Sequence, residues 1–107
     1  MLWRGVRDME QLRLEEVLGT AGKVKVLLLL IGQEEMNISQ IVKLSGLEHS
    51  SVQKHLKSLC EQHLVREKRY GRIRIFALED KNPYVALLKR FFSDWRRLGE
   101  GQATGYA

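Results

Sequence analysis

Ser50, Ser51, Gln53, Lys54 and Lys57 lie within one span of eight residues, inside the stretch GLEHSSVQKHLKSL at positions 46–59. Hydroxyl, carboxamide and ammonium groups at this spacing can donate and accept along a polar edge, and a glutamine can pair bidentately with adenine. Lys54 suits a guanine or a phosphate, and Lys57, one turn further, suits a phosphate. No acid falls between Glu48 and Glu61, so nothing in the stretch repels an anion. His49, just ahead of the serines, adds one more group able to bond a base or a phosphate.

A second basic set stands around Gly71. Arg69 and Arg72 flank it, where guanidinium groups can reach a minor groove or its phosphates, and Tyr70 can donate its hydroxyl to a phosphate. From His49 to Arg74 the chain carries seven Lys and Arg against two acids, Glu61 and Glu67, while the other residues hold eleven of each sign. The whole net charge of +5 therefore sits in one window of 26 residues. A solvated face mixes its charges. A segregated excess fits a polyanion, most often nucleic acid.

Other chemistry finds little support. His49, His55 and His63 are six and eight residues apart and do not stack on one helix face, and with Cys60 they form no CxxC or HxxxH. No metal site and no cofactor is expected, and His55, beside Leu56, reads as a packing residue. HExxH, GxSxG and P-loop patterns are missing, and Glu34–Glu35 and Glu79–Asp80 read as loop charges, so the chain is not expected to be an enzyme. A single cysteine forms no intrachain disulfide and fits a reducing compartment. The start, MLWRGVRDMEQLRLEE, is too charged for a secretory signal, and the longest apolar run, Val26 to Ile31, is too short for a bilayer. A cytoplasmic protein with no membrane partner is expected.

The elements that must position these groups follow from hydrophobic period. Residues 2–18 suggest a helix ending at Gly19, with Leu2, Val6 and Met9 near helical spacing. Thr20 can cap a second helix that stops at Gly32, and its run Val26–Ile31, apolar all round, predicts burial on several sides. NIS is a short extended piece, with Ser39 as the cap of QIVKLS. After the break at Gly46, Val52, Leu56 and Leu59 form one inward stripe, which turns Ser50, Ser51, Gln53, Lys54 and Lys57 outward. A short helix, a glycine turn and a helix with a basic outer face make a helix-turn-helix. LVREKR and RIRIFAL change to a period of two, with Ile73 and Ile75 on one face and a tip near Tyr70 and Gly71, and so predict a hairpin, or wing. Asn82 and Pro83 start a last helix in which Tyr84, Leu88, Phe91, Trp95 and Leu98 make a coiled-coil-like seam widened by Leu87 and Phe92.

These segments resemble the winged helix-turn-helix transcriptional regulators of the ArsR-like type, particularly the small archaeal ones. GKVKVLLLL is similar to that family's first core helix. ISQIVKLSGLEHSSVQKHLKSLCEQHLVREKRYGRIRIFAL is similar to its helix-turn-helix and wing, so the likeness covers about Leu18 to Leu78, with VQKHLKSL followed by LV its most specific part. The resemblance implies that Glu48–Cys60 is a recognition helix and that two copies join through their terminal helices. Here those are the segment before Leu18, with Trp3, Val6 and Met9, and the helix bearing Tyr84, Leu88, Phe91, Trp95 and Leu98. Metal-sensing members carry paired cysteines before the turn, or His and acids in the terminal helix. This chain has no Cys in Ser39–Ser45 and no His after His63, so metal sensing is not expected.

The expected fold is mainly α with a small β-hairpin: a single winged helix-turn-helix domain over residues 1–98, with N- and C-terminal dimerisation helices. Its core covers 20–78, its wing 64–78 and its C-terminal helix 83–98, ahead of a flexible tail at 99–107. The expected function is sequence-specific binding of double-stranded DNA by a homodimer that regulates transcription, with any effector ligand left open. Rivals are a nonspecific chromatin-type DNA-binding protein and a winged-helix adaptor for protein or RNA. Ser50, Ser51 and Gln53 favour the first reading, because a nonspecific binder needs only more lysines.

Overall fold

Thr20 is extended, at φ −131° and ψ 145°, and its hydroxyl accepts from the Lys23 amide at 3.2 Å, which starts a helix where the sequence places one. The computed structural model describes residues 14–105. Most of the expected first helix, with Trp3, Val6 and Met9, lies outside them. Its described part is α1 (Leu14–Val17), a single turn that buries Val17.

Helix α2 (Ala21–Gln33) buries Val26, Leu27 and Leu30, while Leu28 is 45% exposed, so the all-apolar run Val26–Ile31 keeps one side open. The flank carrying Val24, Leu28 and Ile31 opens onto a groove beside the last helix, with Ile31 still partly packed against the core. Lys23 is buried with its ammonium satisfied: Nζ donates to the Glu16 carbonyl at 3.0 Å and to the Ser58 hydroxyl at 2.8 Å.

After α2, Glu34 at φ 65° turns the chain into β1 (Glu35–Asn37), a strand that the sequence shows only as a short extended piece. Asn37, not Ser39, caps α3 (Ile38–Ser45). Its Oδ1 accepts from the Gln40 amide and the Gln40 side chain accepts from the Asn37 amide, both at 2.8 Å. This reciprocal box satisfies two end donors at once, which Ser39, already inside the first turn, does not do. Gly46, left-handed at φ 73°, ends α3 and returns its amide to the Val42 carbonyl.

Helix α4 (His49–Glu61) then lays Val52, Leu56 and Leu59 into the core, as their spacing requires. Strands β2 (Val65–Tyr70) and β3 (Ile73–Leu78) form the expected hairpin, with Gly71 at φ 63° in a two-residue turn of the kind that matches strand twist. β1 adds to it, giving an antiparallel sheet of order β1-β3-β2. Ile73 and Ile75 do share a face, but Ile73 stays 56% exposed; Phe76 and Leu78, on the other face, are the buried pair.

Asn82 caps α5 (Pro83–Gly105), accepting from the Tyr84 amide at 2.9 Å. The helix runs past the expected end at Leu98, so the tail assigned to 99–107 is helical as far as Gly105. Phe76, Leu27, Leu30, Ile41, Leu56, Leu59, Leu64 and Val85 are fully buried between the helices and the sheet, each contributing roughly 1.5–3 kcal/mol by leaving water. No described helix is long and apolar enough to cross a membrane. The whole is a mainly helical winged helix-turn-helix with a small sheet.

Candidate nucleic-acid interface

The inward stripe of α4 fixes which of its residues face solvent. Ser50, Gln53, Lys54 and Lys57 are exposed, as is His49 at the helix start, while Ser51 is half-buried beside Val52. Glu48, the N-cap residue, makes no side-chain bond to the first turn. Lys54 and Lys57 form no ion pair with another described residue, so their ammonium groups stand open to an incoming anion.

His55 leaves this face and packs inward. Its ring lies so close to α2 that a Cβ at Gly22 would sit 2.6 Å from Nε2. Burial, then the charges of Lys23 and Lys54, hold its pKa below the ordinary histidine value. Burial likewise lowers the Lys23 pKa. His55 is thus a packing residue, and among the described residues no group of three or more His, Cys, Asp or Glu could hold a metal.

The hairpin sorts its basic residues by face. Tyr70 is 61% exposed, and Arg72, at the turn, is exposed with no ion pair to another described residue. Arg69 points outward too, yet its Nε donates to Glu67 Oε2 at 3.1 Å. Arg74, which the sequence does not single out, donates to the same carboxylate through Nε at 2.7 Å and Nη2 at 3.0 Å and lies 5.2 Å over the Phe76 ring. Hydrogen bonds from Arg74 first, and Arg69 next, hold the Glu67 pKa below the usual carboxylate range. Between α4 and the hairpin lies a cleft of about 440 Å³, lined on one side by Gln53, Lys57 and Cys60 and on the other by Glu67, Arg74 and Phe76. Burial pushes the Cys60 thiol up, which disfavours the reactive thiolate.

The expected seam on α5 divides in two. Leu88 is buried and Tyr84 half-buried in the protomer, so they back the face, whereas Phe91, Trp95 and Leu98 are 47%, 68% and 67% exposed. Leu87, Leu14 and Leu28 extend the same uncovered surface. Phe91 stacks obliquely against Phe92 and Trp95, at centroid separations of 5.4 and 5.9 Å, which gives the face a rigid aromatic centre. Apolar surfaces of this kind are characteristic of protein interfaces.

No family model and no curated protein matches this chain. Solved structures do. Rv0081 of Mycobacterium tuberculosis aligns over 99% of this chain and 97% of its own at a TM-score of 0.65 and 19% identity. The transcriptional repressor PagR of Bacillus anthracis aligns over 86% and 99% at 0.65 and 20%. A homodimeric winged helix-turn-helix DNA-binding domain from Mycobacterium bovis, described as "a possible ArsR-family transcriptional regulator", aligns over 86% and 79% at 0.62 and 18%. At such identities the likeness establishes the fold. All three proteins are bacterial, and they add nothing to the archaeal leaning of the sequence resemblance.

Proposed function

We propose that this chain is a homodimeric DNA-binding protein that regulates transcription, reading double-stranded DNA through α4 and holding it through the wing. The observation that carries this reading is the exposed surface of α4, free of acids from His49 to Cys60, with Gln53, Lys54 and Lys57 open to solvent and the whole excess of positive charge beside it. The N-terminal part of α4 offers Ser50, Ser51 and Gln53 to base edges, with His49 and Lys54 beside them. Lys57, Arg69, Tyr70 and Arg72 hold phosphates. Repressors and DNA-binding domains among the similar folds support the assignment.

The uncovered face of Phe91, Trp95 and Leu98 is where the second copy docks, with Tyr84 and Leu88 behind it and Trp3, Val6 and Met9 joining from the first segment. Two copies of α4 then enter successive major grooves about one DNA turn apart, roughly 34 Å, on a near-palindromic site.

Selection from a random-sequence duplex pool at two salt concentrations tests this. A two-half-site motif that persists at the higher salt is the expected result. Retention without a motif, lost steeply as salt rises, would leave phosphate contacts alone and a nonspecific chromatin-type role. No retention would leave an adaptor.

A further inference from the structure

Strand register sets up a conflict on the wing. β2 and β3 place Arg69 directly opposite Arg74, and like charges in that position destabilise a hairpin. Glu67 resolves it. It lies two residues before Arg69 on the same strand face, opposite Phe76 and diagonal to Arg74.

The two arginines share its carboxylate unequally. Arg74 takes both oxygens, through Nε at 2.7 Å and Nη2 at 3.0 Å, and rests over Phe76, so its guanidinium is spent on the fold. Arg69 takes one oxygen through Nε alone, at 3.1 Å, and its side chain stays 68% exposed. A guanidinium held only at Nε leaves the end-on fork of its two terminal nitrogens free for a second acceptor. The face concerned is the one that borders the cleft with Gln53 and Lys57; in the DNA-binding reading a strand crosses this cleft between α4 and the wing.

Resting on the DNA-binding reading above, we propose that Glu67 is a positioning residue: it fixes Arg69 at the rim of the cleft between α4 and the wing, with both Nη groups offered to one backbone phosphate. Glu67 is then an acid that strengthens a contact with a polyanion. Its own charge is already met by Arg74, and what it supplies is the orientation of a second arginine that otherwise swings away from its like-charged neighbour.

The sign of the effect makes this testable. Removing one negative charge from a DNA-facing surface should, by charge alone, tighten binding. Glu67→Gln is instead expected to weaken retention of the selected duplex about fivefold and to lower the salt slope by about 0.9, one phosphate's worth, as Arg69→Ala does. Combining Arg69→Ala with Glu67→Gln is expected to add no further loss. Binding equal to or tighter than the parent would overturn the proposal, and so would a weaker complex with an unchanged salt slope. Should Glu67→Gln fail to fold, Arg69→Ala, which leaves the Glu67–Arg74 pair intact, carries the test: an unchanged slope there also overturns it. Arg72→Ala and Gln53→Ala serve as references. If the parent chain itself retains no duplex, the DNA reading has failed; if the references weaken binding and Glu67→Gln does not, only the positioning role has.

Discussion

Asn82 ties the end of α4 to the start of α5: its Nδ2 donates to the His63 carbonyl at 2.8 Å while its Oδ1 caps the Tyr84 amide at 2.9 Å. His63 itself is left-handed, at φ 60°, and its carbonyl faces the cap because of that turn. One side chain therefore joins the helix proposed to read DNA to the helix proposed to meet a second copy.

Replacing it with alanine removes the cap and the tie together. Asn82→Ala is expected to destabilise the protein by about 1–2 kcal/mol, read from urea unfolding. Asn82→Asp keeps the acceptor and should lose only part of that. Equal losses in the two variants would mean that the bond to His63 carries most of the effect.

The aromatic face makes a separate prediction. Trp95→Glu should yield a monomer by sedimentation, with protomer stability changed by no more than about 0.5 kcal/mol, because Trp95 is 68% exposed and covers little of its own core. A variant that stays dimeric would place the interface elsewhere.

On α4, Gln53→Ala should relax base preference at one position per half-site, at roughly 1–3 kcal/mol of discrimination. Arg72→Ala should weaken binding evenly across sequences and reduce the salt dependence. If Gln53→Ala leaves the preferred site unchanged, another element reads the bases.

Gly22 and His55 should behave as a pair. Alanine usually strengthens a helix over glycine, but a Cβ here meets the His55 ring at 2.6 Å, so Gly22→Ala should cost about 1–3 kcal/mol. His55→Ser should relieve most of that penalty in the double variant. Additive losses would show that the cost arises elsewhere than at the His55 ring, and no loss in Gly22→Ala alone would show that the ring moves aside freely.

The same histidine gives a pH dependence. Its folded-state pKa is depressed, so below the ordinary value of 6.5 the unfolded chain takes the proton first and stability falls as pH drops. Above that range the penalty is absent. His55→Gln should flatten the difference in unfolding free energy between acid and neutral pH, and an undiminished slope would assign it to other groups.

Much of this arrangement is legible in the chain because local chemistry and period agree. Val52, Leu56 and Leu59 recur at helical spacing and are all buried, and Asn82–Pro83 starts a helix as a capping residue before a fixed φ should. Where two capping types compete, as Asn37 and Ser39 do, the decision rests on Gln40 reaching back, a pattern visible as N-x-x-Q but easily passed over for the nearer serine. β1 has three residues, too few to show a period, and exists because β3 offers it an edge. The continuation of α5 past Leu98 runs against Gly99 and Gly101, each about 1 kcal/mol poorer than alanine in a helix. Glu67 reads in the sequence only as a charge opposing the basic run. Its role depends on the pairing of Arg69 with Arg74, which no single strand reveals.

The two-residue turn at Gly71 also limits how this wing can change over generations. Side chains alternate along β2, so inserting one residue between Glu67 and the tip would carry Arg69 to the opposite face and bring a neighbour in its place. Insertions that keep this register without a bulge come in pairs matched on both strands, each step lengthening the finger by about 6.6–6.8 Å. A regular hairpin of this kind can therefore vary its reach only in discrete increments.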